Sequence, residues 1–264
     1  MLKVRLDFVE EVLDSFRSSY WQEEKCWFVA YNSKHLFSVP SFADRKVSNY
    51  FRPPIHSTTP NPTIYYDQIT DLSLYQDSIK NWPRLKYVTT LELYCHIRHS
   101  ILQTVFNLNR IQHLILSSSV DRSIVILTLN EMTNLRHISI WKNVPRFLEY
   151  VRNLEMDQIR TVDLGGDFDI KDHNIIDSLG SVFPRVERLR IPLNHACVCL
   201  DHLIDNLKYL AQVSFFCNRI HDIDRSEQSE QLKHVILTNS NSNCRYDRLL
   251  RSIHVWIDDT LQKI

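Results

Sequence analysis

The stretch Asn134-Leu135-Arg136-His137-Ile138-Ser139-Ile140-Trp141-Lys142-Asn143 (NLRHISIWKN) decides the reading of this chain. Leu135, Ile138 and Ile140 occupy positions 1, 4 and 6 of the pattern L-x-x-L-x-L. Alternation at positions 4 and 6 is that of a strand with one buried face. The same triplet recurs upstream as Ile69-Leu72-Leu74, Val88-Leu91-Leu93 and Ile111-Leu114-Leu116. Downstream it recurs as Ile159-Val162-Leu164, Val186-Leu189-Ile191, Leu210-Val213-Phe215, Leu232-Val235-Leu237 and Leu250-Ile253-Val255. The nine starts are separated by 19, 23, 24, 24, 27, 24, 22 and 18 residues. Leu, Ile, Val and Phe fill 86 of the 264 positions, so chance would satisfy about nine of the 27 pattern positions, yet all 27 are satisfied.

Eight residues after each start stand Asp77, His96, Ser119, Asn143, Asp167, Asn194, Asn218, Ser240 and Asp258. Short polar side chains here either form a ladder of hydrogen bonds to the backbone of adjacent coils or act as turn formers after the strands. Between strands the period lengthens. Ile101, Leu102, Val105 and Leu108 have helical spacing, as do Phe147, Leu148, Val151 and Leu154, and Leu200, Leu203, Ile204 and Leu207. A strand followed by a helix cannot bury both faces alone, so neighbouring units must stack. A period in this range is that of leucine-rich repeats. The expected fold is therefore α/β: a leucine-rich-repeat solenoid over residues 67–264, about nine repeats, with a curved parallel sheet on the concave face and helices or loops outside. The short gaps 69–88 and 232–250 leave room only for loops or single turns.

Residues 1–66 lack the triplet and are expected to form an N-terminal cap and connector. Leu2, Leu6, Val9, Leu13, Phe16 and Tyr20 make one apolar stripe on a helix. Trp27, Phe28, Val29 and Tyr31, then Leu36, Phe37 and Val39, read as a strand or hairpin around Asn32 and Ser33. FRPPIHSTTPNP (51–62) carries four prolines and reads as an extended connector. The segment either shields the first coil from solvent or docks its helical stripe on a partner.

Composition excludes several classes of function. Lys plus Arg and Asp plus Glu number 31 each, which argues against a dedicated nucleic-acid or membrane-surface binder. The opening MLKVRLDFVEEVLDSF is broken by charges and is not expected to act as an apolar leader, no apolar run reaches membrane length, and the six cysteines are expected to be reduced thiols of a cytoplasmic or nuclear protein. Three glycines cannot build a phosphate-cradling loop, and no cofactor is expected. His195, Cys197, Cys199 and His202 lack the spacing of a zinc site, so no metal is expected. His96 with His99, and His234 with His254, have no nucleophile at a recognised motif, so no catalytic residue is assigned and the chain reads as a non-enzyme.

What remains is the concave face. The residues following the triplets are Tyr75, Tyr94, Ser117, Trp141, Gly165, Pro192, Phe216, Thr238 and Trp256. Aromatic groups presented together are enriched at interfaces. Beside them runs a basic strip, Arg136, His137, Arg160, Arg188 and Arg190, interrupted by Asp163 and Glu187. The expected site for a protein partner is Trp141, Arg136, Arg160, Arg188, Arg190, Phe216 and Tyr94. Gly165 and Pro192 are expected to leave a shallow floor between Trp141 and Phe216. The competing reading has Trp141 packed under its own loop and the arginines paired with Asp163 and Glu187.

NLRHISI and FPRVERLRI resemble the repeats of F-box/leucine-rich-repeat proteins, and the resemblance covers residues 69 to about 258. In that family an N-terminal F-box binds a Skp-type adaptor of a cullin ubiquitin ligase, and the repeats hold the substrate. The resemblance thus implies a protein-binding scaffold acting as a ubiquitin-ligase substrate receptor. Residues 1–50 lack the L-P-x-E opening of an F-box, so a Skp-type adaptor is implied only where an F-box precedes this chain. The alternative is a stand-alone interaction module, such as an enzyme inhibitor or assembly scaffold.

Overall fold

The computed structural model describes residues 6–31, 36–39, 46–48, 56–61, 66–75, 79, 82–94, 97–117, 122–165, 173–192, 202–216, 242–247 and 252–257. The architecture is mixed α/β, with largely parallel strands flanked by helices. The chain divides into two compact units, Met1–Ile111 and Gln112–Ile264.

In the first unit, helix α1 (Leu6–Ser15) lays Val9 and Leu13 against Val29, with Phe16 and Tyr31 packed around them. Val9, Leu13 and Phe16 of the apolar stripe thus pack against strand β1 (Phe28–Tyr31). β1 pairs antiparallel with β2 (Leu36–Val39), a hairpin rather than a single strand. The proline-rich stretch does more than connect: its residues His56–Ser57 form β4, antiparallel to β1 on its other side. Thr58 fixes this edge by accepting the Val29 amide proton on its hydroxyl and donating its own amide to the Val29 carbonyl. Parallel pairing begins before the first triplet. β3 (Lys46–Ser48) pairs with β5 (Asp71–Leu74), which pairs with β6 (Thr90–Leu93). Three residues are too few to show a period, so β3 is invisible to pattern reading. The short gap between β5 and β6 holds no helix among the described residues. Helix α2 (His99–Val105) follows β6 and buries Leu102 and Val105.

In the second unit, β7 (His113–Leu116), β8 (His137–Ile140), β9 (Thr161–Leu164), β10 (Arg188–Pro192) and β11 (Gln212–Phe216) are successive parallel neighbours. Helices α3 (Arg122–Glu131), α4 (Val144–Val151) and α5 (His173–Val182) and the helical residues 202–206 lie between them in sequence. On α4 the buried set Val144, Phe147, Leu148 and Val151 is one helical stripe. In all seven triplets from Ile69 to Phe215 the three apolar side chains are buried. Positions 3 and 5 stay mostly part-exposed on the other face of the strands.

The triplets are joined by a repeated backbone pattern. The amide of position 1 donates to the residue three before it at Ile69, Ile111, Leu135, Ile159, Val186 and Leu210. Those turns open on Tyr66, Leu108, Met132, Met156, Phe183 and Leu207, all buried except the part-buried Tyr66. The carbonyl at position 2 accepts two amides, from positions 2 and 3 of the following triplet: Arg136 and His137 on Gln112, Arg160 and Thr161 on Arg136, Glu187 and Arg188 on Arg160, Ala211 and Gln212 on Glu187.

Two expectations change. The ninth triplet does not continue the parallel series: β13 (Ser252–Ile257) runs antiparallel to β11 and to β12 (Ser242–Asp247). Only four residues separate β12 from β13, whereas a parallel return needs a dozen or more, so these two strands must run opposite ways, and it is β13 that lies beside β11. Asn143 is the one member of the polar column among the described residues. It adopts φ 54°, ψ 44° at the start of α4 and makes no side-chain cap hydrogen bond. What the position requires is a left-handed backbone, which Asn tolerates better than most residues. Asp77, His96, Ser119, Asp167, Asn194, Asn218, Ser240, Asp258 and the triplet at Leu232 lie outside the described residues.

Leu114, Ile138 and Leu189 sit at position 4 of three triplets and are 2%, 0% and 2% exposed. Substitution of each by Ala should destabilise the protein by about 2–5 kcal/mol. Chemical denaturation measures this, and unchanged midpoints for all three would show that the triplet does not mark the core.

Candidate functional site

The register brings residues about 24 apart in sequence into rows across the sheet. At position 3 the row reads His113, His137, Thr161, Arg188 and Gln212, and β13 adds Trp256 opposite Gln212. Arg188 is exposed, and Trp256 retains 38% of its surface. At position 5 the row includes Ser139, Asp163, Arg190 and Ser214, with His254 opposite Ser214.

These rows create a polar cluster on the second unit. The imidazoles of His113 and His137 stack with centroids 3.7 Å apart and planes 4° from parallel. Ser139 Oγ lies 2.9 Å from His113 Nε2, 3.4 Å from His137 Nε2 and 3.3 Å from Asp163 Oδ2, to which it donates. His137 Nε2 is 3.1 Å from the same carboxylate oxygen. These contacts are satisfied together when both rings carry a proton on Nε2 and the Ser139 hydroxyl points at Asp163. Burial by itself would raise the Asp163 carboxyl. The hydrogen bond and charge of His137, the charge of Arg190 and the Ser139 hydroxyl outweigh it and hold the group below the usual carboxylate value.

A serine, a histidine and an aspartate in contact invite comparison with a nucleophilic relay. A relay needs the imidazole between serine and carboxylate, touching them through different nitrogens. Here His137 meets both through Nε2, and Ser139 donates directly to the carboxylate. The geometry orders a polar surface. Pattern reading passed over His113, Ser139 and Asp163 as site residues, although aligning positions 3 and 5 of consecutive triplets places them side by side. A second cluster lies at β11 and β13, where Ser214 Oγ is 2.7 Å and Gln212 Nε2 is 3.3 Å from His254 Nδ1.

The residues expected to bind a partner divide. Trp141, Phe216 and Arg190 come together: the two rings meet edge to face at 6.2 Å, and the Arg190 guanidinium lies 4.5 Å from the Phe216 centroid. The shallow floor expected at Gly165 is filled by Trp141 itself. A Cβ on Gly165 would overlap Trp141 Cε3 and lie 2.9 Å from Cδ2 and Cζ3. Arg160 pairs with Glu187 at 3.1 Å and donates to backbone carbonyls, and Arg136 donates to the Gln158 carbonyl. Arg188 stands exposed in its row. Tyr94 belongs to the first unit, where it stacks on Tyr75 at 4.0 Å. Its hydroxyl is pushed well above its ordinary value by hydrogen bonds with Tyr75 and then Glu92, so the phenol stays protonated.

His202, one of the four residues compared with a zinc motif, lies 3.2 Å from Asp177; the other three are outside the described residues. No group of three or more His, Cys, Asp or Glu among the described residues is placed to hold a metal ion. No helix among them is long and apolar enough to cross a membrane. No protein-family model matches the chain, and no curated protein matches it.

Gly165→Ala should cost about 1–3 kcal/mol by forcing Trp141 out of its seat. In a Trp141→Ala background the same change should be close to neutral. Equal costs in both backgrounds would show that the indole does not occupy that space.

Because the folded Asp163 carboxyl is held low, its stabilisation is present above the unfolded value of about 3.9 and disappears as pH falls through the lower folded value. Denaturation midpoints of the wild type and Asp163→Asn should therefore differ at neutral pH and converge below about pH 4. A difference that stays constant down to pH 3 would contradict this account.

Proposed function

We propose that this chain is a protein-binding scaffold of the leucine-rich-repeat kind, a solenoid whose partner docks on the open strand face of the second unit. One observation carries the reading: the row Arg188, Gln212 and Trp256, exposed at Arg188 and Trp256 and part-exposed at Gln212, runs across three adjoining strands beside the ordered His113, His137, Ser139 and Asp163 cluster. A strand-borne surface holds its side chains rigidly, so a partner loses less freedom on it than on loops. Tryptophan and arginine are over-represented among the residues that dominate binding energy. The seven buried triplets, and the backbone turn that six of them share, support the solenoid. Trp141, Arg190 and Phe216 act in this reading as the packed support beside the exposed row.

The resemblance of NLRHISI and FPRVERLRI to F-box/leucine-rich-repeat proteins extends the proposal to a ubiquitin-ligase substrate receptor, with the partner as its substrate. A stand-alone interaction module is the alternative. The two separate by whether a Skp-type adaptor co-purifies with the longest transcript product.

Affinity capture with the full chain, followed by mass spectrometry, identifies the partner. Arg188→Glu should then weaken its binding at least tenfold, about 1.4 kcal/mol. Stability should change by no more than about 0.5 kcal/mol, as for an exposed side chain. A captured partner that binds the variant as tightly as the wild type would remove this face from consideration.

A further inference from the structure

The first unit carries a surface that the proposed scaffold reading leaves unused. After α1 the chain makes a single π-helical turn, Tyr20–Glu24, in which the Lys25 amide donates to the Tyr20 carbonyl. π-Turns are rare and occur frequently at functional sites. Cys26 follows at φ 51°, a left-handed conformation costly for a residue with a Cβ, and the Trp27 amide closes the turn on the Trp21 carbonyl at 2.8 Å. The widened turn stacks two indoles: Trp21 and Trp27 lie 5.9 Å apart with planes 21° from parallel. Tyr20 meets Trp21 edge to face at 5.0 Å, and Phe16 supports Trp21 from below at 5.5 Å. Tyr20 and Trp27 nevertheless keep 46% and 47% of their surface exposed.

The charge around this ledge is one-sided. Residues 6–27 contain six acidic and two basic side chains, in a chain whose totals are equal. Arg17 is engaged by Glu10 and Asp14, and Glu10 also pairs with His56. Glu23 and Glu24 are exposed and belong to the same turn as Tyr20 and Trp21. The Lys25 ammonium lies 5.4 Å from the Tyr20 centroid, so one cation of the chain itself already uses the face of a ledge ring. Ring faces attract cations through their quadrupole, and nearby carboxylates reinforce that attraction.

We propose that Tyr20, Trp21 and Trp27, flanked by Glu23 and Glu24, form a docking ledge for a lysine- or arginine-rich segment of a protein partner. The stems of such side chains lie along the indoles, and their cationic heads reach the two carboxylates. Exposed aromatic groups also suit a lipid interface, but the acidic flank repels an anionic bilayer. The ledge does not depend on the strand-face reading.

Fluorescence anisotropy with the full chain tests it, using labelled octapeptides of alternating Lys and Arg or alternating Glu and Asp, and vesicles of zwitterionic lipid. The basic peptide should bind saturably and more weakly as salt rises. The acidic peptide and the vesicles should not bind. Trp27→Ala should weaken the basic peptide roughly fivefold, the scale of one cation–π contact. The double variant Glu23→Gln, Glu24→Gln should do the same, and its exposed positions keep the test valid if Trp27→Ala misfolds. Arg188→Glu should bind this peptide as the wild type does, which separates the ledge from the strand face. Absence of saturable binding, equal binding by the double variant, or preference for the acidic peptide or the vesicles would each overturn the proposal.

Discussion

The second unit depends on one repeated hydrogen-bond arrangement, in which a single carbonyl ahead of each strand receives two amides from the next. Gln112, Arg136, Arg160 and Glu187 each play this part in turn. A strand of four or five residues has few backbone groups and no local partner when its neighbours run parallel. Unpaired buried backbone groups are costly, so each strand is secure only with another beside it. The carbonyl clamp fixes where the next strand begins. That start places positions 4 and 6 over the apolar side chains of the preceding strand. Burial of Ile138, Val162, Leu189 and Val213 in one register follows from it.

The same register makes the surface. Side chains separated by a helix and two turns in sequence become lateral neighbours about 4.8 Å apart. His113 and His137 stack for that reason, and Ser139 reaches Asp163 for the same reason. The face is therefore ordered by the backbone. Trp141 shows the complementary effect. The missing side chain of Gly165, just past β9, leaves the space that the indole occupies, and the indole meets Phe216 edge to face. A gap that suggests a socket in the sequence is filled from within.

Other features depended on contacts invisible to a local pattern. The turn residues Met132, Met156, Phe183 and Leu207 form an apolar column three places before the triplet, but Met and Phe mixed with Leu do not stand out until the shared turn is seen. The triplet at Leu250 matches the sequence pattern fully, yet its strand pairs with a neighbour only four residues upstream and runs antiparallel both to it and to β11. His56 and Ser57 lie in a proline-rich run with no strand signal and still pair with β1, because that edge had open donors and acceptors. The π-turn at Tyr20–Glu24 continues an apolar stripe that predicts only α-helix.

The sequence by itself determined the positions of the strands from β5 to β11, the alternation of strand and helix from β6 to β11, and the buried triplets from Ile69 to Phe215. Those features follow from residue periodicity, which acts within a few residues along the chain. It also marked the segments of β1 and β2 as extended and the helix whose Val9 and Leu13 pack against Val29, while their antiparallel pairing came from the fold. Only the tertiary structure decided which exposed side chains meet. The stacked histidines, the Asp163 hub, the seat of Trp141 and the row from Arg188 to Trp256 depend on register between strands and on the sense in which each runs. Those quantities are set by hydrogen bonds between distant segments, and a one-residue slip would turn every strand side chain to the opposite face.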